Sequence, residues 1–388
     1  MKPYRVALLI EENREVGRSL LRGIAQYSRA HGPWVFYRET PFYEKLSVDE
    51  RFRRIEEWDA AGIIMREQGR MDTHLLNMGI PVVYSGHRCG PVQGIPNILG
   101  DDRQIGTMAA DDLIARGFRN FGFCGFKNMW WSIDRGRFFS ERLAATGFQV
   151  DVHELSAGSF TSFRAGDSNS MVDWLRSLPF PCGVFACTDD LCRQLAEACR
   201  LAGINVPEEV ALLGVDNDEL VCEFASPPLS SIVLNAGKSG YDAAAVLQRM
   251  MQGESVGEIT IPMPAPRIVT RQSTDILAVD DPVVAKALCY IREHDRKGML
   301  VAEIARAVGV SRRVLELHFR KSMNRSVYEE VLRLRMDRAC MLLVETNLSI
   351  AQVAEALDYE ESKYFSRGFR QVIGLSPLAY RKRNSVRD

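Results

Sequence analysis

Arg312 and Arg313 head one short helical pattern, and Ser362, Lys363 and Arg367 lie on a second about fifty residues later. An arginine fork holds guanine O6 and N7 together, whereas lysine offers a point charge suited to phosphate. Arg320 and Arg370 occupy matching places and add positive charge. Glu316 would accept from a cytosine amine or orient a neighbouring arginine; a solvated helix charge is an equally good reading. Such a set suits the reading of double-stranded DNA from the major groove.

These side chains need rigid helices behind them. In SIAQVAEALDYEESKYFSRGFR, Ile350, Val353, Ala354 and Leu357 fall at i, i+3, i+4 and i+7, one buried face, with Ser349 a fitting N-cap. Val301, Ile304, Ala305 and Val308 repeat that spacing 49 residues earlier, and Phe319-Arg320 matches Phe369-Arg370 at an offset of 50. Each unit reads as helix, tight turn, helix, with Gly309 or Asp358 at the corner. Aspartate tolerates left-handed backbone better than most residues. The overall charge of −1 hides an asymmetry. From Asp280 onward 20 Lys+Arg face 15 Asp+Glu, a net of +5, while the preceding residues carry 29 against 35, a net of −6. A basic end on an acidic body places the polyanion contact at the C-terminus.

From Ala302 to Arg381 the chain resembles the AraC/XylS family of transcription regulators. The matching residues are AEIARAVGVS, Arg335 and Ala339 in the joining helix, SIAQVAEALDY, YFSRGFRQVIGLSP and Tyr380-Arg381. Asp358 departs from the glycine usual at that corner.

Residues 1–270 follow a different grammar. Short apolar runs recur (VALLI, WVFYRE, AGIIM, PVVYSG, NFGFCG, GVFACT, VALLGVD) with helical patterns between them, the first closed by Gly32. Strand alternating with helix predicts parallel sheets covered on both faces, with ligands at the carboxyl ends of the strands. The alternating prolines of TIPMPAPRIV suit an edge strand or an extended segment. Residues 271–282 read as a linker, 283–388 as an all-α domain with helix-turn-helix units at about 300–321 and 349–371.

The N-terminal body resembles the effector-binding core of LacI/GalR repressors in LLRGIAQYSRAHG, GDDRQIGTMAADDLIARGFRNFGFCG, DRGRFFSERLAATGF and INVPEEVALLGVDNDE. That resemblance implies an α/β, two-lobed, periplasmic-binding-protein-like sugar sensor. Fused to an AraC-type reader it is similar to activators of xylose catabolism, which implies D-xylose as effector, a homodimer on DNA, and RNA polymerase as a partner. A regulator of the same build for another sugar or a sugar acid is the alternative. Sugars call for carboxylates that accept two hydroxyls, arginines that donate as a fork, and flat apolar rings. Asp189 and Asp216, read at strand ends, Arg135 and Arg18 are the leading ligand contacts. Glu11, Asn13, Trp130 and Trp131 are secondary, the tryptophans read on a loop and suited equally to stacking or core packing. Asp101 matches a position of that family, with helix capping an equally good reading, and His87 and Arg88 read as surface loop.

No phosphate loop, nucleophile elbow or paired metal ligands appear, so no catalytic residue, metal or cofactor is expected. A sugar-handling enzyme tethered to DNA and a constitutive architectural DNA binder are the competing classes. Nine cysteines without a CxxC pair read as reduced thiols suited to the cytoplasm. With no apolar run near membrane length, no membrane partner is expected.

Overall fold

The computed structural model describes all residues except 1–2, 39–46, 68–71, 88–89, 157–164, 276–280, 294–298, 324, 360 and 385–388. Arg88 and residues 276–280 of the expected linker therefore lie outside the described residues.

The chain opens with β1 (Tyr4–Leu9), α1 (Glu15–His31), β2 (Trp34–Arg38), α2 (Val48–Glu57), β3 (Gly62–Arg66), α3 (Asp72–Leu76), β4 (Val82–Ser85) and β5 (Asn97–Gly100). It crosses to a second lobe with α4 (Asp102–Ala115), β6 (Asn120–Phe126), α5 (Trp130–Ala144), β7 (Val150–Leu155), α6 (Ala165–Ser177) and β8 (Cys182–Ala186). That lobe continues through α7 (Asp189–Ala202), β9 (Val210–Asp216), α8 (Glu219–Glu223) and β10 (Ser230–Val233). The chain then returns for α9 (Ala236–Met251) and β11 (Thr260–Met263), and crosses once more to β12 (Ile268–Val269).

Each lobe holds a six-stranded sheet, ordered β2-β1-β3-β4-β5-β11 in the first and β7-β6-β8-β9-β10-β12 in the second. Pairing is parallel except between β10 and β12. In both orders the chain turns back beside its first strand, so each sheet has a switch point where loops diverge and leave a crevice. Pro262 sits on the edge strand β11, where a missing N–H costs no ladder bond. The runs from VALLI to VALLGVD all form strands, while β5, β7, β10 and β12 carry no such run. In β7 the sequence VDVHEL is mostly solvent-facing on an edge, which removes the apolar signal.

Helices α1 and α9 cross at contact distance because both are small there. A Cβ on Gly23 would lie 1.9 Å from the Gly237 carbonyl oxygen, and one on Gly240 2.1 Å from that of Leu20. Gly32 stops α1 at φ 129°. The cysteine cluster Cys182, Cys187, Cys192 and Cys199 consists of free, buried thiols. Among the described residues no helix is long and apolar enough to cross a membrane.

The remaining chain is helical: α10 (Pro282–Glu293), α11 (Val301–Ala307), α12 (Arg312–Met323), α13 (Val327–Glu345), α14 (Ile350–Ala356), α15 (Ser362–Ile373) and α16 (Pro377–Asn384). Two cores form around α13. Ile304, Leu315 and Phe319 pack with Val327 at its start, and Val353, Phe365 and Phe369 with Met336, Ala339 and Leu343 further along. The repeat seen in the sequence is repeated in exposure: residues 311–320 and 361–370 alternate buried and exposed positions identically. Ser349 caps α14 in a reciprocal box with Gln352. The corners turn through left-handed backbone at Gly309 (φ 77°) and Asp358 (φ 62°).

Candidate ligand cleft and nucleic-acid interface

A cavity of about 330 Å³ lies between the lobes, within the range of small-molecule sites. Its walls come from the carboxyl ends of strands in both sheets. Glu11, Asn13 and Arg14 follow β1, Arg66 and Ser85 end β3 and β4, and Met129 to Trp131 follow β6. Asp216 ends β9. Of the eight ligand positions singled out in the sequence, Glu11, Asn13, Trp130, Trp131, Arg135 and Asp216 line this cavity.

Asp216 has φ 107° and Asn217 φ 48°. Holding a non-glycine residue there costs about 1–3 kcal/mol, which surrounding structure must offset. Asp189 supplies that hold. Its buried carboxylate accepts from Ser231 Oγ at 2.5 Å and from the Asp218 amide at 2.9 Å, while the Asn217 amide donates to Ser231 Oγ at 3.0 Å. Asp189 is thus not on the cavity wall, nor at a strand end: β8 stops at Ala186, Thr188 caps α7, and Asp189 is its first residue. The cavity-facing carboxylate is its neighbour Asp190, gripped by Arg14 through Nε at 2.7 Å and Nη2 at 2.9 Å.

Arg18 also lies off the wall. Its Nη2 donates to Asp218 across the lobes at 3.0 Å and its Nε to Glu15 at 3.2 Å. With Arg14–Asp190 it fastens the lobes beside the cleft. Trp130 and Trp131 open α5 rather than lying on a loop. Trp131 is buried, donates to the His87 carbonyl at 2.9 Å and stacks on the His87 ring at 5.6 Å. His87 accordingly belongs to the cleft wall, not to an exposed loop. The buried indole nitrogen of Trp130 has no protein partner among the described residues.

Arg135 is 6% exposed and donates to Asp102 at 2.8 Å and to the Cys187 carbonyl at 2.6 Å, with its guanidinium 4.9 Å from the Trp131 ring centre. Burial raises the Asp102 carboxyl and Arg135 opposes that shift. Burial also pushes Asp216 up to about 6, against the pull of Arg135 and Arg66, and holds Asp189 well above the usual carboxylate range. Arg14, Arg66, Ser85, Asp102 and Asp190 were not singled out in the sequence. Arg14 stands four residues before the arginine chosen there, and periodicity alone does not say which one turns inward.

On the helical side, Arg312, Arg313, Arg320, Ser362, Lys363, Arg367 and Arg370 are all exposed, over the buried Leu315/Phe319 and Phe365/Phe369 pairs. Lys363 pairs with Glu361 at 2.7 Å. Glu316 accepts from the Val327 amide at 3.3 Å at the start of α13, a contact that neither of its two readings included. Exposure makes the basic set removable without unfolding. Arg313→Ala is expected to cost about 1–3 kcal/mol of duplex affinity and relax preference at one base pair. Lys363→Ala is expected to lower affinity across sequences and reduce the salt slope by about one unit. Duplex titrations at several salt concentrations read both.

Residues 110–274 match a periplasmic binding protein-like domain and residues 304–383 a helix-turn-helix domain. The chain is a helix-turn-helix transcription regulator built on a periplasmic-binding-protein-like α/β core. It is similar throughout to the xylose operon regulatory protein of Escherichia coli K12, 28% identical over 392 residues, covering 99% of this chain and 98% of that one. The protein of the same name from Haemophilus influenzae is 28% identical over 391 residues, covering 97% and 98%. Among solved structures, that of the xylose-binding transcription activator xylR matches with a TM-score of 0.61 at 27% identity, over 99% of both chains.

Proposed function

We propose that this regulator is a D-xylose-dependent activator of xylose catabolism genes, acting in the cytoplasm as a homodimer that contacts RNA polymerase. The observation that carries the reading is the cleft. Carboxylates, an arginine fork on a buried partner and tryptophans converge at the carboxyl ends of strands from two sheets, the set that a ring of hydroxyls with apolar faces requires. Among the described residues no protein group hydrogen-bonds the Asp216 carboxylate, so its acceptor capacity is available to a ligand. Full-length similarity to relatives named for xylose supports that sugar. Residues 1–270 form the sensor, 271–282 the connection and 283–388 the DNA-binding part. Leu220 on α8 and Phe224 at its C-terminal cap, 61% and 84% exposed, support pairing through the second lobe.

A thermal-unfolding screen against pentoses, hexoses and sugar acids tests the effector. D-xylose at about 100 times its dissociation constant is expected to add roughly 2.7 kcal/mol to the stability of the sensor. Stabilisation by another sugar alone would move the assignment to that sugar, and no stabilisation by any would remove the sensor reading.

A further inference from the structure

The lobes are joined by three crossover segments: Asp101 between β5 and α4, Leu234–Asn235 between β10 and α9, and 264–267 between β11 and β12. They are hydrogen-bonded to one another. The Asp101 amide donates to the Met263 carbonyl at 3.1 Å, and the Asn235 amide to Pro264 at 2.9 Å. Any rotation of one lobe against the other must pass through these segments. The last helix of the DNA-binding domain rests on all three. Tyr380 Oη donates to the Pro266 carbonyl at 2.6 Å, Arg383 Nη2 to Asp101 at 2.9 Å, and Asn235 Nδ2 to the Asn384 carbonyl. Tyr380 and Asn384 are 4% and 2% exposed.

The same domain has a second foothold on the rigid body of the second lobe. Arg325 Nη2 donates to the Ala115 carbonyl at 2.9 Å, and Arg119 donates to the Ser322 carbonyl. Between the footholds runs α13, 19 residues and so about 28 Å long. A lobe rotation carries Ala115 and Arg119 along as one body but alters the angles at the crossovers. The domain cannot keep both sets of contacts unchanged, so lobe closure must reorient or release α16.

We infer that α16 reads the hinge: Tyr380, Arg383 and Asn384 are positioning residues that couple closure of the cleft to the placement of the two reading helices within one chain. The inference rests on the ligand-gated reading above and adds the route. It does not require the signal to pass through the dimer. The three residues touch neither the cleft wall nor the exposed faces of α12 and α15.

The test uses the full chain and the variants Tyr380→Phe, which removes only the hydroxyl from a packed ring, and Arg383→Gln. Three quantities are measured: D-xylose affinity by calorimetry, duplex affinity with and without D-xylose, and hydrogen exchange of residues 377–384 with and without the sugar. Coupling between two sites in proteins is typically about 5–150-fold. In the parent, D-xylose is expected to change duplex affinity within that range and to change exchange in α16 without DNA present. In each variant the sugar and the duplex still bind, but the sugar-dependent change in duplex affinity falls at least threefold, and further in the double variant. If the sugar binds and shifts duplex affinity in the parent, yet exchange in α16 is unmoved and both variants retain the full shift, the hinge route is wrong and the sensor reading stands. If D-xylose binds the parent without altering duplex affinity, the sensor reading fails and takes this inference with it.

Discussion

Arg135→Ala is expected to lower the stability of the sensor by about 3–5 kcal/mol, the usual result of stranding one partner of a buried ion pair. Its carboxylate partner Asp102 is itself 5% exposed, and the lost guanidinium also leaves the Cys187 carbonyl and one face of Trp131 without their contacts. Denaturant unfolding measures the loss. Adding Asp102→Asn removes the stranded charge and is expected to restore part of the stability but none of the ligand binding. Arg135→Lys separates the roles further, because an ammonium keeps the charge and loses the fork. It is expected to fold and to bind the sugar weakly. Parent-like stability in Arg135→Ala would mean that the pair with Asp102 contributes little.

The second large effect is at Asp216. Asp216→Ala removes the carboxylate whose acceptors face the cleft and is expected to cost at least 1.5–3 kcal/mol of sugar affinity, about 10–150-fold, with duplex binding in the absence of sugar unchanged. Asp189→Ala is expected to give a similar loss by a different route, since it frees the strained Asp216–Asp218 turn rather than removing a contact. The two losses should therefore be far from additive in the double variant. The same group sets a pH dependence. Burial raises Asp216 to about 6, so its ionised fraction grows about tenfold between pH 5 and 7, and sugar affinity is expected to rise with it and level off above. For the unliganded sensor the sign is opposite. A carboxyl raised on folding contributes stability below its unfolded pKa, and that contribution is lost as pH rises through about 6. Calorimetric titrations at pH 5, 6 and 7 check the first statement. An affinity that is flat or falls with pH would show that the sugar does not use an ionised Asp216.

Much of this was legible in the chain because the relevant signals are periodic. The helix-turn-helix pair announces itself twice, with the same apolar spacing and a corner at the same place, so the Ile304/Ala305 and Val353/Ala354 faces could be assigned to the interior from the chain alone. Buried parallel strands read as unbroken apolar runs, which is why VALLGVD led to Asp216. The edge strand β2 still carries such a run, but β7, mostly solvent-facing on its edge, carries none and was silent for that reason. At the site, one-residue choices failed. Asp189 and Asp190 are adjacent first-turn residues of α7, and only the helix start at Thr188 decides which turns into the core and which into the cleft. Arg18 and Arg14 differ likewise: both find carboxylates of the other lobe, but only Arg14 does so on the cavity wall. The docking of Tyr380 on Pro266, 114 residues away, joins two patterns that are each complete without it, so no local signal records it.

The central claim is that a sugar bound between the lobes changes how the C-terminal helices hold DNA. The most direct measurement takes a duplex enriched by the full chain from a randomised library with D-xylose present, and titrates it with and without the sugar at fixed salt. The account predicts a change in affinity of about fivefold or more that is lost in Asp216→Ala and kept on a duplex of unrelated sequence only as weak, salt-sensitive binding. An affinity for the enriched duplex that is the same with and without D-xylose, in a protein that binds the sugar, would contradict it.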